Sequence, residues 1–393
     1  LTWGGYAPQD VIEKFEAELS RQWQDWQVLQ ALSAVRHYWY YTDKQEAELH
    51  KQELQNCEQG DSESDDTVNS LIEESQRVLR LANRSYRTER SYVRWLQRFL
   101  VYLEGKLERK LRIGDITANS IKSYLTYLAV EKRVAAATQQ QAFNALLFFC
   151  RRVLDLSIDG LSDTIRARKA QRLPVVLSQG EVKQIIKTMP KPYQLMCMII
   201  YGGGPRLSEC LALRIRDLDF DEEMITIRSG KGNKDRTTLF PRSIHTEVRE
   251  QIRETRILFE EDRRRSRPGV PLPHALVRKY PAAATEWGWY WLFPSPRLSI
   301  DPWTERTCRY HLYPSSLQKQ VSRAVRSLGL IKHATVHSFR HSFATHLIEA
   351  GYDVRTVQEL LGHQNLNTTM VYTHVAVKNK RGVISPMSRL DID

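Results

Sequence analysis

The chain has 393 residues, with 58 Lys/Arg against 46 Asp/Glu and a formal net charge of +12. That length accommodates two or three domains. No apolar run approaches the ~20 residues of a membrane span, and no secretory signal opens the chain, so a soluble cytoplasmic protein with no membrane partner is expected. Five scattered cysteines (Cys57, Cys150, Cys197, Cys210, Cys308) argue against a disulfide framework or a zinc knuckle.

The charge is unevenly placed. Residues 1–74 hold 5 Lys/Arg and 16 Asp/Glu, leaving 53 and 30 for the rest of the chain. So basic a body reads as nucleic-acid binding, with counterion release supplying much of the affinity. Residues 1–56 read as an acidic, aromatic-rich helical extension containing Trp23, Trp26, Tyr38, Trp39, Tyr40 and Tyr41. Residues 57–70 follow as an acidic linker without large apolar anchors in 57–67.

A helical DNA-binding domain is expected over 71–168. Arg77, Arg80, Arg84 and Arg87 recur at steps of three or four, and Arg94 and Arg98 continue them. Tyr92, Trp95, Phe99 and Tyr102 form an apolar face beside them. Further helices are predicted over 116–133 and 137–154. One arginine face would suit a DNA backbone, although a solvated charged face has the same pattern. A basic linker, 169–177, leads to a capping box, Ser178 with Glu181, that opens the next helix.

The glycine run of YGGGPRLSEC (201–210) is followed by no G-K-[ST], so it is not a phosphate loop for ATP. Its arginine, Arg206, can be held by Glu209 three residues on. MITIR (224–228) and TTLF (237–240) read as two antiparallel strands, with Lys231 near the tip of the connecting turn. Residues 263–295 open with four arginines, carry Arg278 and Lys279 on a short helix between prolines, and end in Trp287, Trp289 and Trp291. Those alternating tryptophans suit either contacts to unstacked bases or a strand with one buried face.

Residues 335–375 predict three short helices joined at Gly351 and Gly362, with Asp353 capping the second and the third starting near Asn367. They bring together His337, Arg340, His363 and Tyr372. A tyrosine hydroxyl, with a reference pKa of roughly 10, must lose its proton to attack. A phosphodiester under attack gathers charge that a guanidinium fork matches. Histidine supplies the base or an orienting donor. His337 and His341 are also spaced like half of a metal site, but no nearby cysteine or carboxylate completes one, so no metal is assigned.

G-x-x-R-x-S-E, G-K-G-N-K-D-R, H-x-x-R-H, L-L-G-H and the final tyrosine together resemble the signature of the tyrosine recombinases over roughly 175–375. The resemblance implies a mainly α protein with a small antiparallel β hairpin or sheet. A helical core-binding domain would precede a mixed α+β catalytic domain, 178–393. It implies that Tyr372 forms a 3′-phosphotyrosyl bond, activated by Arg206, Lys231, His337, Arg340 and His363, without cofactor. It further implies a homotetramer on synapsed DNA in a bacterial, nucleoid-associated setting. Pro205 departs from the leucine more usual before the arginine. The insertion at about 260–292 is similar to that of the integron integrases, which implies movement of gene cassettes and use of both duplex and folded single-stranded sites. The expected DNA contacts are Arg77, Arg80, Arg84, Arg87, Arg278, Lys279, Trp287 and Trp289. A generic phage-type or chromosome-dimer recombinase, a type IB topoisomerase and an inactive DNA-binding homologue are the alternatives.

Overall fold

The computed structural model describes residues 64–156, 173–228, 235–272, 274–301 and 305–378. The acidic extension and Lys231 lie outside these. The chain divides into two units, Leu1–Lys169 and Ala170–Asp393.

In the first unit, α1 (Ser64–Leu81) ends before α2 (Tyr86–Leu107) begins. Asn83 adopts a left-handed φ of 50°, and the Ser85 hydroxyl caps α2 by accepting from Thr88 N at 3.3 Å. This break corrects the continuous arginine face. Arg77 and Arg80 close one helix, Arg84 lies in the connection, and Arg87 starts the next helix. Arg80 folds back to donate to both oxygens of the buried Glu89, and Arg77 approaches Glu74 at 3.6 Å. The basic stripe that does run along α2 is Arg87, Arg90, Arg94 and Arg98, which lines a groove with Tyr86, Trp95 and Gln141. Leu96, Phe99, Leu100 and Leu103 of α2 turn the other way. They pack on Tyr124, Leu125 and Leu128 of α3 (Ala118–Val130) and on Ala142, Leu146 and Phe149 of α4 (Ala136–Arg152).

The second unit starts with the expected capping box: Ser178 Oγ accepts from Glu181 N at 3.2 Å, and Glu181 Oε2 accepts from Ser178 N at 2.7 Å. The box opens α5 (Gln179–Thr188). The apolar α6 (Tyr193–Gly203) follows, then the single turn α7 (Leu207–Leu211). Strands β1 (Leu218–Asp219), β2 (Met224–Ile227) and β3 (Arg236–Leu239) form an antiparallel sheet in that order, with Met224 opposite Leu239 and Ile227 opposite Arg236. After α8 (His245–Arg264) come α9 (His274–Lys279), a second two-stranded sheet (β4, Ser299–Ile300; β5, Thr307–Cys308) and α10 (Pro314–Ser327). The unit closes with α11 (Val336–Glu349), α12 (Val354–Leu361) and α13 (Leu366–Lys378). Its main core joins Met196, Ile199 and Ile200 of α6 to Ile225, Phe240, Leu317, Val321 and Phe339. The fold is therefore mainly α with small antiparallel sheets, and no described helix is long and apolar enough to cross a membrane.

The tryptophan run forms a 3₁₀ turn, Trp287–Trp289, so the strand reading is corrected. Trp289, Tyr290 and Trp291 pack with Phe259, Val270 and Ala283 as a separate small core. Beneath it lies an ion pair with no solvent exposure, in which Arg309 donates to both oxygens of Asp262. Tyr290 Oη donates to Asp262 at 2.7 Å, and Arg309 Nη1 donates to Ser295 O at 2.9 Å. Every polar edge of this buried pair is thus met, the condition under which burying it is tolerated.

Candidate active site

Two glycines shape the backbone around the site. Gly204 ends α6 at φ +69°, and the Phe343 ring sits 2.5 Å from where a Cβ would be. Gly362 ends α12 at φ +63°, with the Arg236 side chain 2.7 Å from its missing Cβ. Side chains are strained in this left-handed region, and here there is also no room for one.

The carbonyls left free at these helix ends bind Arg340, which is 1% exposed. It donates to Gly204 O, to Leu361 O at 2.7 Å and to His363 Nε2 at 3.1 Å. Burial and then Arg206 lower its pKa to about 10, so it stays charged at neutral pH. Because a guanidinium only donates, His363 Nε2 accepts, and its Nδ1 faces Thr369 Oγ1 at 2.9 Å. Burial and then Arg340 hold His363 down to about 3, leaving it neutral.

Glu209 ties three arginines into one cluster. It accepts from Arg206 Nη1 at 2.7 Å and from Arg236 Nη1 and Nη2 at 3.1 and 2.6 Å, and lies 3.9 Å from Arg340 Nη1. Burial raises its carboxyl pKa, but the bonds from Arg236 and Arg206 outweigh this and hold it down at about 2. The pairing of Glu209 with Arg206 is the one expected from their spacing. Arg236 is an addition: it sits on β3 and also donates to Leu360 O at 3.2 Å.

Tyr372 projects from α13 into this cluster and is 3% exposed. Its hydroxyl lies 2.9 Å from His341 Nδ1. The His363 ring stacks at 6.2 Å. Burial pushes the phenol pKa up, and the positive charges of Arg340 and Arg206 oppose that rise. Burial, then His337 and Arg340, hold His341 down to about 4. The His337 ring meets His341 edge-on at 4.7 Å, and its pKa is lowered by burial and then by Arg340 and Arg206.

Five of the six expected site residues, Arg206, His337, Arg340, His363 and Tyr372, are thus brought together, while the sixth, Lys231, lies outside the described residues. Arg278 and Lys279 are exposed at the end of α9. Trp287 is half-buried, and Trp289 is 8% exposed beneath the Arg216 guanidinium at 3.4 Å. Sequence reasoning missed Arg236, His341 and Arg90. Arg236 closed the quoted hairpin and His341 closed the H-x-x-R-H box, so position in a motif was the available signal.

A helical unit ahead of a mainly helical unit, with a buried tyrosine among arginines and histidines, is the architecture of a tyrosine recombinase. The profile described as "Phage integrase family" matches residues 175–379, and that described as "Phage integrase, N-terminal SAM-like domain" matches 71–159. The chain belongs to the phage integrase family. It is 40% identical over 320 residues to an integrase/recombinase of Escherichia coli, covering 81% of this chain and 94% of the relative. It is 30% identical over 324 residues to tyrosine recombinase XerA of Thermococcus kodakarensis, covering 80% and 93%. Among solved structures, a lambda integrase tetramer bound to a Holliday junction shares the fold with a TM-score of 0.53 at 14% identity, covering 77% of this chain and 76% of that one.

Proposed function

We propose that the protein cuts and rejoins DNA at specific sites, with Tyr372 as nucleophile. The observation that carries this reading is the enclosure of the Tyr372 phenol among Arg340, Arg206 and three imidazoles. Attack by the phenol oxygen forms a 3′-phosphotyrosyl ester and releases a 5′-hydroxyl. Arg206 and Arg340 offset the charge gathering on the phosphate, and Glu209 with Arg236 keeps them aligned. Lys231 protonates the leaving oxygen, and His337 serves as acid or base near the phosphate. The family resemblance gives His363 a hydrogen bond to the phosphate; its Nε2 here accepts from Arg340 at 3.1 Å, so that bond requires DNA to displace the arginine. Since one phosphoester replaces another, bond energy is retained and neither ATP nor a metal has a task. The groove of Arg87, Arg90, Arg94 and Arg98 suits a duplex backbone. A tetramer on DNA, as in the lambda integrase structure bound to a Holliday junction, fits the same chemistry.

The finer reading is an integron-type enzyme that integrates and excises gene cassettes. It is supported by the insertion, where Arg216, Leu276, Tyr280 and Trp289 bound an open pocket beside Arg278 and Lys279. An arginine plane over an aromatic face is a surface on which an unstacked base is held. The relatives named as general recombinases favour the second reading, a chromosome-dimer or phage-type enzyme with the same chemistry.

Suicide half-sites test the first claim. The wild type should form a covalent adduct mapped to Tyr372, and Tyr372→Phe should bind DNA and form none. An adduct that persists in Tyr372→Phe overturns the mechanism. Folded single-stranded and duplex sites test the second claim, and equal use of both counts against the integron reading.

A further inference from the structure

We infer that His341, which follows the arginine of the H-x-x-R box, takes the phenolic proton of Tyr372 as the phosphotyrosyl bond forms. The inference rests on the proposed nucleophile and narrows its acid–base assignment, moving the acceptor of the phenolic proton from His337 to His341.

The geometry is specific to one ring nitrogen. A buried phenol needs an acceptor for its O–H, and among the described residues Tyr372 Oη has one hydrogen-bond partner, His341 Nδ1 at 2.9 Å. The phenol therefore donates, Nδ1 offers its lone pair, and the ring carries its proton on Nε2. His337 packs edge-on against His341 at 4.7 Å and makes no hydrogen bond to Tyr372 among the described residues. Successive positions on α11 point about 100° apart. Arg340 turns inward to the carbonyls of Gly204 and Leu361, while His341 faces the tyrosine on α13. Burial beside His337 and Arg340 keeps the ring uncharged and its lone pair available.

The step balances. The Tyr372 Oη–P bond forms and the P–O5′ bond breaks. The phenolic proton passes to His341 Nδ1, and the 5′ oxygen leaves with a proton from Lys231. The imidazolium then sits beside the newly esterified phosphate and neutralises part of its charge. In rejoining, the 5′-hydroxyl attacks and Nδ1 returns its proton to the departing phenol oxygen.

The test is single-turnover adduct formation on half-sites carrying either an ordinary scissile phosphate or a 5′-bridging phosphorothiolate, whose sulfur leaves without a proton. His341→Asn keeps a polar group near the phenol but cannot take up the proton, and His341→Phe removes both functions. With half-site binding retained, both should lose on the order of 10²-fold or more on both substrates. Lys231→Ala should recover on the phosphorothiolate. Replacing Tyr372 by a polyfluorinated tyrosine, whose phenol gives up its proton far more readily, should restore His341→Asn to within about three-fold of the matching His341 enzyme. Three results overturn the inference: His341→Asn at wild-type speed, rescue of His341→Asn by the phosphorothiolate, or a deficit that fluorination leaves unchanged. Should the wild type form no adduct at Tyr372, the functional reading itself fails. Wild-type adduct alongside a full-speed His341→Asn removes only the role of His341.

Discussion

Arginine is used in two opposite ways in this chain. Along α2, Arg87, Arg90, Arg94 and Arg98 border an open groove, and Arg98 lies 5.1 Å over the Trp95 ring. In the second unit, Arg340, Arg236 and Arg206 are enclosed, held by helix-end carbonyls and a single carboxylate. The first set is hydrated and adaptable, and it attracts a polyanion without fixing it. The second set is largely desolvated and held in place, with only Arg206 partly exposed, so little reorganisation remains when charge develops. Position relative to the core, rather than residue type, separates general attraction from a preset electrostatic site.

The most severe way to break that contrast is Glu209→Gln, which leaves clustered guanidiniums without their shared anion. A loss of about 3–5 kcal/mol in unfolding free energy is expected, as for a buried pair stripped of one partner. The pH dependence follows from the sign of the shift. The Glu209 pKa is depressed to about 2 in the folded chain, so its contribution is complete above its unfolded pKa of roughly 4.3 and is lost as pH falls towards about 2. Denaturant titrations of wild type and Glu209→Gln should therefore differ most above pH 5, and the gap should shrink progressively as pH falls towards about 2. A constant gap across that range would contradict the assignment.

Arg340→Lys is next in size. A lysine supplies one ammonium where the fork reaches two carbonyls and an imidazole, so adduct formation should fall about 10²-fold with half-site binding largely kept. The smallest effect is expected on α2. Arg94→Ala with Arg98→Ala should weaken half-site binding moderately and reduce the slope of log affinity against log salt by about one per arginine. A steep loss of cleavage at saturating DNA would mean that this groove is as preset as the buried cluster.

Features coded locally were legible in the sequence. The Ser178–Glu181 box, the Asp353 cap, the turns at Gly351 and Gly362 and the Arg206–Glu209 pair each span four residues or fewer, and the structure contains all of them. The break between α1 and α2 was also coded locally, by Asn83 and Ser85, but the regular arginine spacing masked it. Arg236 and His341 could not be assigned by spacing, because their partners lie 27 and 31 residues away. Those bonds depend on how β3 lies against α7 and how α11 lies against α13, and single-chain periodicity carries no such information. The tryptophans alternated as a strand would, yet their packing on Phe259 and beneath Arg214 and Arg216 favoured a 3₁₀ turn.

The buried Asp262–Arg309 pair ties together a segment wider than the stretch 260–292. Asp262 lies at the start of the stretch 260–292 and Arg309 beyond its end, and Gly269 lies so close to Ala284 that a Cβ there would come within 2.0 Å of its carbonyl oxygen. A cut near 260 and 292 would separate Asp262 from Arg309. The block that keeps both partners is 262–309, its two ends latched together by charge.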